Sequence, residues 1–140
     1  MEQIDSGVFD VFQVPYSAVQ REHEAVIAKA SAAGGGIIIR GGVARGAPTN
    51  WDKRYYMLTR EEMRSRWDQA GLDEISDGMS RIEFMVRFTI SLPELDTTII
   101  GTKNLDHLRE NLAAAQKGSL PEALVFEAKR RLARTASRPT

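Results

Sequence analysis

Gly34-Gly35-Gly36-Ile37-Ile38-Ile39-Arg40-Gly41-Gly42 decides how the rest of the chain reads. Three consecutive β-branched residues between two glycine clusters make a short strand. An unbroken apolar run predicts burial on both faces, as in a parallel sheet covered by helices. The leading glycines stop a helix. That helix runs from Val19 to Ala33, with Val19, Val26, Ile27 and Ala30 near helical spacing and charges between them. Further upstream, Val8-Phe9-Asp10-Val11-Phe12-Gln13-Val14-Pro15-Tyr16 reads as a strand that a proline turns into a loop.

Downstream, Gly46 to Leu58 is a loop carrying Ala47-Pro48-Thr49-Asn50. Thr59 and Glu62 form a capping box that opens a helix reaching about Ala70. Ser80 and Glu83 form another, opening the helix Ile82 to Leu92 that Pro93 closes. Thr97-Thr98-Ile99-Ile100 is a third short strand, stopped by Gly101. Asn104 caps the next helix, whose Leu105, Leu108 and Leu112 share a face. Ser119-Leu120-Pro121-Glu122 opens a last helix with Leu124, Val125, Ala128 and Leu132 inward. The stretch Ala133 to Thr140 is basic and polar and is expected to fray. The order β, α, β, α, α, β, α, α predicts a parallel α/β sheet with right-handed crossovers.

Composition sets outer limits. The 140 residues are 42% hydrophobic and 27% charged, which suits one compact domain. Nineteen basic and nineteen acidic side chains cancel, so no net field draws nucleic acid or an acidic membrane. Absence of cysteine excludes disulfides and thiolate metal sites. No apolar run approaches the roughly 18–20 residues of a membrane span. Met1-Glu2-Gln3-Ile4-Asp5 lacks the basic-then-apolar pattern of a signal peptide. A cytoplasmic protein without membrane or nucleic-acid partners is expected. Asp5 and Asp10 show no metal spacing, and no nucleophile elbow or Walker loop occurs. Met63 and Trp67 share a helical face and read as core, and His23 reads as surface.

Three segments together resemble the aldo-keto reductases. Phe9 to Ser17 is similar to that family's sixth barrel strand, Gly36 to Gly46 to the seventh strand and the loop over the cofactor. Thr98-Ile99-Ile100-Gly101-Thr102-Lys103-Asn104-Leu105-Asp106-His107-Leu108-Arg109-Glu110-Asn111-Leu112 is similar to the last strand and the helix after it. The resemblance implies a partial (β/α) TIM-type barrel of about three parallel strands with flanking helices. A closed barrel needs about 250 residues, so this chain cannot close one alone. The whole chain, 1–140, is expected to form one partial domain. Residues 8–118 match strands six to eight, and 119–140 form the terminal helix and tail.

The resemblance also implies a cofactor, NADP, and residues to hold it. Gln13 matches a glutamine that bonds the nicotinamide carboxamide. Arg40 stands where many relatives stack an aromatic ring on the nicotinamide. Gly41 and Gly42 permit close backbone approach to the pyrophosphate; by themselves they read as a strand-ending turn. Gly101, Thr102, Lys103, His107, Glu110 and Asn111 match positions at the adenosine end. Read alone, the same stretch is a capped helix start with free N–H groups that favour an anion, or a capped helix with solvated His107 and Lys103. In the family a tyrosine, an aspartate, a lysine and a histidine from the first four strands do the chemistry, and none of them is matched here. Trp51, Tyr55 and Tyr56 read as loop cover or as pocket lining.

Two readings follow. One is a truncated or split aldo-keto reductase carrying the NADP-binding part without independent carbonyl reductase activity. The other is a non-catalytic oligomerisation or interaction protein with a vestigial nucleotide site. In either, open strand edges and the uncovered Phe9, Phe12 and Ile99 predict a homo-oligomer or a complementing chain.

Overall fold

The computed structural model describes residues 1–43 and 60–136. A short helix α1 (Glu2–Asp5) leads into β1 (Val11–Pro15), α2 (Glu24–Ala32) and β2 (Gly36–Arg40). Then come α3 (Arg60–Gln69), a 3-10 turn (Leu72–Ile75) and α4 (Arg81–Ile90). The chain continues through β3 (Thr97–Ile99), α5 (Leu105–Gln116) and α6 (Glu122–Ala136). The strands form one parallel sheet in the order β1-β2-β3. The expected α/β architecture with three parallel strands is what forms.

Register assigns the two faces of the sheet. Val14, Ile39 and Thr98 align in one row, with Phe12 and Ile37 in the row before it. Ile37 and Ile39 are fully buried, and Phe12 packs against the same core. The opposite face carries Val11, Gln13 and Pro15 beside Gly36, Ile38 and Arg40, then Thr97 and Ile99. No residue of that face is fully buried. The isoleucine run is therefore buried on one face, not two: Ile38 is only half-buried because helices cover a single side. In the core, Tyr16 stacks on Phe88 with centroids 6.1 Å apart, and Trp67 meets Phe84 edge-on at 5.3 Å. Met63 and Trp67 are core residues, as their helical spacing predicts.

Several boundaries differ from expectation. β1 starts at Val11, leaving Val8 and Phe9 exposed ahead of it. α2 starts at Glu24, because Ser17 and Gln20 exchange backbone hydrogen bonds of 3.0 and 3.1 Å and reverse the chain first. His23 is the N-cap of α2 and only half exposed, with a buried Nδ1 that has no hydrogen-bond partner among the described residues, so it is not simple surface. Ser80 caps α4 as expected, its hydroxyl accepting from the Glu83 N–H at 3.1 Å. β3 stops at Ile99, and α6 holds helical form as far as Ala136, past the expected fraying point at Ala133. The loop Gly46 to Leu58 with Trp51, Tyr55 and Tyr56, and the Thr59 cap, lie outside the described residues.

The leucine face of α5 turns outward. Leu105, Leu108 and Leu112 are 68%, 41% and 55% exposed. The buried residues of α5 are Asn111 and Ala114. Helical periodicity finds an apolar stripe but does not say which way it points.

A polar cluster ties the β1–α2 connection to α6. The Tyr16 hydroxyl donates to Glu24 at 3.1 Å, Arg21 makes two 3.1 Å bonds to the same carboxylate, and Lys129 approaches it at 2.9 Å. Burial pushes the Tyr16 hydroxyl far above its usual range, and the Glu24 charge adds to this. Burial alone would raise Glu24, but hydrogen bonds from Arg21 and Lys129 outweigh it and hold the carboxyl below its ordinary value. A depressed carboxyl contributes stability above its unfolded pKa and loses it as pH falls through the folded one. Glu24→Gln is therefore expected to cost about 1–3 kcal/mol at neutral pH. That deficit should shrink on acidification to about pH 3, well below the ordinary glutamate pKa of about 4.3. Urea midpoints of both proteins across that range check it; a deficit that grows on acidification contradicts the assignment.

Candidate functional site

In a parallel sheet, ligands gather at the carboxyl ends of the strands. β2 and β3 are neighbours, so the segments leaving them, Gly41-Gly42 and Gly101-Thr102-Lys103, emerge side by side at that end. Gln13 and Arg40 lie on the adjacent strands β1 and β2 and on the same, helix-free face. Gln13 is level with Ile38, while Arg40 is level with Pro15 and Ile99, two residues nearer the carboxyl end. Gln13 is exposed and Arg40 half-buried. The topology thus brings the predicted residues to one end of one sheet, although they are widely spaced in sequence.

Gly42 has a structural occupation of its own. The Thr89 hydroxyl of α4 donates to the Gly42 carbonyl at 3.0 Å. A Cβ on Gly42 would stand 2.9 Å from Thr89 Cγ2 and 3.3 Å from Thr98 Oγ1. Gly42 is a glycine because α4 and β3 crowd it. Gly41 is different: φ is +73°, and nothing lies within 4 Å of the place a Cβ would take.

The start of α5 is built almost as predicted, with one correction. The Asn104 side chain accepts from the Asp106 N–H at 2.8 Å and from the His107 N–H at 3.4 Å. The Thr102 hydroxyl accepts from the Asn104 N–H at 3.1 Å. The cap therefore engages backbone donors that had been expected to stand free for an anion. Any phosphate here meets side chains before amides. Gly101, Thr102, Lys103 and His107 are all exposed.

Glu110 and Asn111 part company. Glu110 is exposed and accepts a 2.8 Å hydrogen bond from Ser80 at the N-cap of α4. Asn111 is 8% exposed, and its Oδ1 is buried with no hydrogen-bond partner among the described residues. A buried amide oxygen left unpaired is costly and uncommon. It fits a cofactor that brings a donor, because a carboxamide turned about its last bond presents either an acceptor or a donor. Sequence reasoning missed Ser80 and Thr89 at this site. Ser80 was legible as a cap, but its second partner comes from another helix, and no local pattern carries that.

Tyr16 is buried, bonded to Glu24 and pushed away from proton release. Among the described residues, no group of three or more His, Cys, Asp or Glu side chains could hold a metal. Among them also, no helix is long and apolar enough to cross a membrane.

No protein-family model matches the sequence, and no curated protein matches it. Solved structures do match the fold, aldo-keto reductases among them. The holo form of aldo-keto reductase AKR11C1 from Bacillus halodurans superposes with a TM-score of 0.72 at 16% identity, over 93% of this chain and 43% of that one. Glycerol dehydrogenase AKR11B4 from Gluconobacter oxydans superposes with a TM-score of 0.73 at 17% identity, over 99% and 48%. The thermostable aldo-keto reductase Tm1743, in complex with the inhibitor epalrestat, gives 0.60 at 19% identity, over 86% and 39%. The chain therefore has the fold of part of an aldo-keto reductase barrel and spans less than half the length of each.

The crowding at Gly42 makes a direct test. Gly42→Ala is expected to lower stability by about 1–3 kcal/mol, as overpacking does. Pairing it with Thr89→Ser removes the offending methyl, keeps the hydroxyl and should restore part of the loss. Urea denaturation of the three variants measures both effects.

Proposed function

We propose that this chain is the NADP-holding part of an aldo-keto reductase barrel, without carbonyl reductase activity of its own. The observation that carries the reading is the convergence at one sheet end of Gln13, Arg40, Gly41 and the Gly101–Asn111 segment, on a fold shared with aldo-keto reductases. Lys103 and His107 are exposed cationic or donor groups for a phosphate at the adenosine end. Asn111 offers its carboxamide to the base. Thr102 and Asn104 shape the strand-to-helix turn that presents them. Gln13 holds the nicotinamide carboxamide, Arg40 lies against the ring, and open Gly41 lets the pyrophosphate approach the backbone. Glu110, tied to Ser80, fixes α5 against α4. When bound, NADPH supplies a hydride. Nothing described here supplies the matching proton. A cytoplasmic location agrees with this reading.

A second reading keeps the fold and drops the nucleotide: an interaction protein with a vestigial site. The capped start of α5 favours it, because the amides an anion would use are already engaged.

Titration with NADPH, followed by cofactor fluorescence, separates the two. Binding in the micromolar to low millimolar range is expected, weakened about fivefold to tenfold by Lys103→Ala or His107→Ala, which is about 1–1.4 kcal/mol. No binding at millimolar NADPH leaves the vestigial reading standing. An aldehyde panel with NADPH should show no turnover by this chain alone; clear turnover refutes the absence of independent activity.

A further inference from the structure

The end of α3, the 3-10 turn after it and the last turns of α6 line an open cleft of about 580 Å³. Clefts of about 300–1,000 Å³ take small-molecule ligands. None of the residues lining this one belongs to the sheet or to α5. Its walls are polar and unlike each other. α6 contributes Arg130, Arg131 and Arg134, and the other side contributes Asp68, Gln69 and Glu74.

The three arginines are held differently. Glu127 accepts two hydrogen bonds of 2.7 Å from Arg130 and one of 2.8 Å from Arg131. Arg131 also reaches across to the 3-10 turn, donating to the Gly71 carbonyl at 2.9 Å and to Glu74 at 2.7 Å. Gly71 suits that approach: its φ is +59°, and a Cβ there would stand 3.1 Å from Arg131 Nη1. Two guanidinium groups are thus fixed before any ligand arrives, which spares a ligand the cost of ordering them. Arg134 has no hydrogen-bond or ion-pair partner among the described residues. It lies four residues after Arg130 and three after Arg131, a spacing at which like charges repel. Glu74 and Glu127 offset two of the three cations, and Asp68 is already paired with Arg81. One positive charge is left at the cleft.

The unused donors define the complementary ligand. All of the Arg134 fork, Nη1 of Arg130 and Nη2 of Arg131 lack an acceptor among the described residues. Guanidinium groups match the oxygens of carboxylates and phosphates. Three of them on one wall suit the three terminal oxygens of a phosphate monoester better than the two of a carboxylate. The facing carboxylates accept hydrogen bonds from hydroxyl groups and repel a second anion. The amide of Gln69 can serve a hydroxyl in either sense.

We propose that the cleft between α3 and α6 binds a hydroxylated phosphate monoester of about the size of a hexose phosphate. Its phosphate meets Arg130, Arg131 and Arg134, and its hydroxyl groups meet Asp68, Gln69 and Glu74. The site shares no residue with the nucleotide candidate at the sheet end, so either reading can fail alone.

Glucose 6-phosphate is the probe, with inorganic phosphate and glucose as its separate halves. Titrated into the 140-residue chain and followed by amide chemical shifts, glucose 6-phosphate is expected to saturate with a Kd of about 0.1–1 mM and to move the amides of Gly71 and Thr135. Inorganic phosphate should bind about fivefold more weakly or worse, and glucose alone should not bind. Arg134→Gln should weaken the sugar phosphate about tenfold and leave the unfolding midpoint unchanged, since that side chain has no partner to lose. Arg109→Gln removes the same charge from exposed α5 surface and should leave the affinity unchanged. Should Arg134→Gln fail to fold, the Gly71 and Thr135 shifts of the unaltered chain decide. Absence of saturation, shifts confined to Gly101 through Asn111, equal affinity for inorganic phosphate, or full affinity in folded Arg134→Gln each overturns the proposal.

Discussion

Every ladder of the sheet passes through β2. Val11 to Pro15 bond to it on one side and Thr97 to Ile99 on the other, while Ile37 and Ile39 drop from it into the core. An isoleucine run suits this position because β-branched side chains pack well on a pleated, buried surface. The ends of the strand are set as firmly as its middle. Ahead of it, a Cβ on Gly35 would fall 2.6 Å from the Phe12 ring, so the helix exit and β1 close up only around a glycine. The Asp96 carboxylate accepts from the Ile37 N–H at 2.7 Å and anchors the start of β3 to the same strand. Behind β2, the Thr89 hydroxyl donates to the Gly42 carbonyl, and Thr89 and Thr98 fill the space a side chain there would need.

That central strand explains why the candidate site has its form. Segments that leave adjacent parallel strands must emerge together, so Gly41-Gly42 and Gly101-Thr102-Lys103 are neighbours whatever their distance in sequence. The sheet also sorts residues by face. Gln13 and Arg40 fall on the side that the helices leave uncovered, which in a closed barrel is the interior. The same arrangement that gathers nucleotide-binding candidates leaves Val11 and Ile99 beside them in contact with water. Site and unfinished surface are two consequences of one partial sheet.

Much of this was legible in local pattern. The isoleucine run, the helix-stopping glycines, the Ser80 cap and the Asn104 cap depend on residues within a few positions of one another, and each forms where expected. What failed needed a distant partner. Ser17 and Gln20 close a turn that delays α2, and Ser80 shares its hydroxyl with Glu110 thirty residues on. Asn104 forms the cap that was expected of it, and that cap competes with an anion at the helix start, because both want the same N–H groups.

The sequence by itself determined which segments are strands and helices and that the strands run parallel. Those properties follow from side-chain period, capping chemistry and connection length, all of them local. Only the tertiary structure decided the orientation of what the pattern revealed. It turned the leucines of α5 outward and Asn111 inward, left Ile38 half-buried while burying Ile37 and Ile39, and showed Gly42 crowded by Thr89. An amphipathic stripe has a direction only once a neighbour exists to receive it. Here α4 receives one side of α5, and the leucines on the other side meet no described neighbour that buries them.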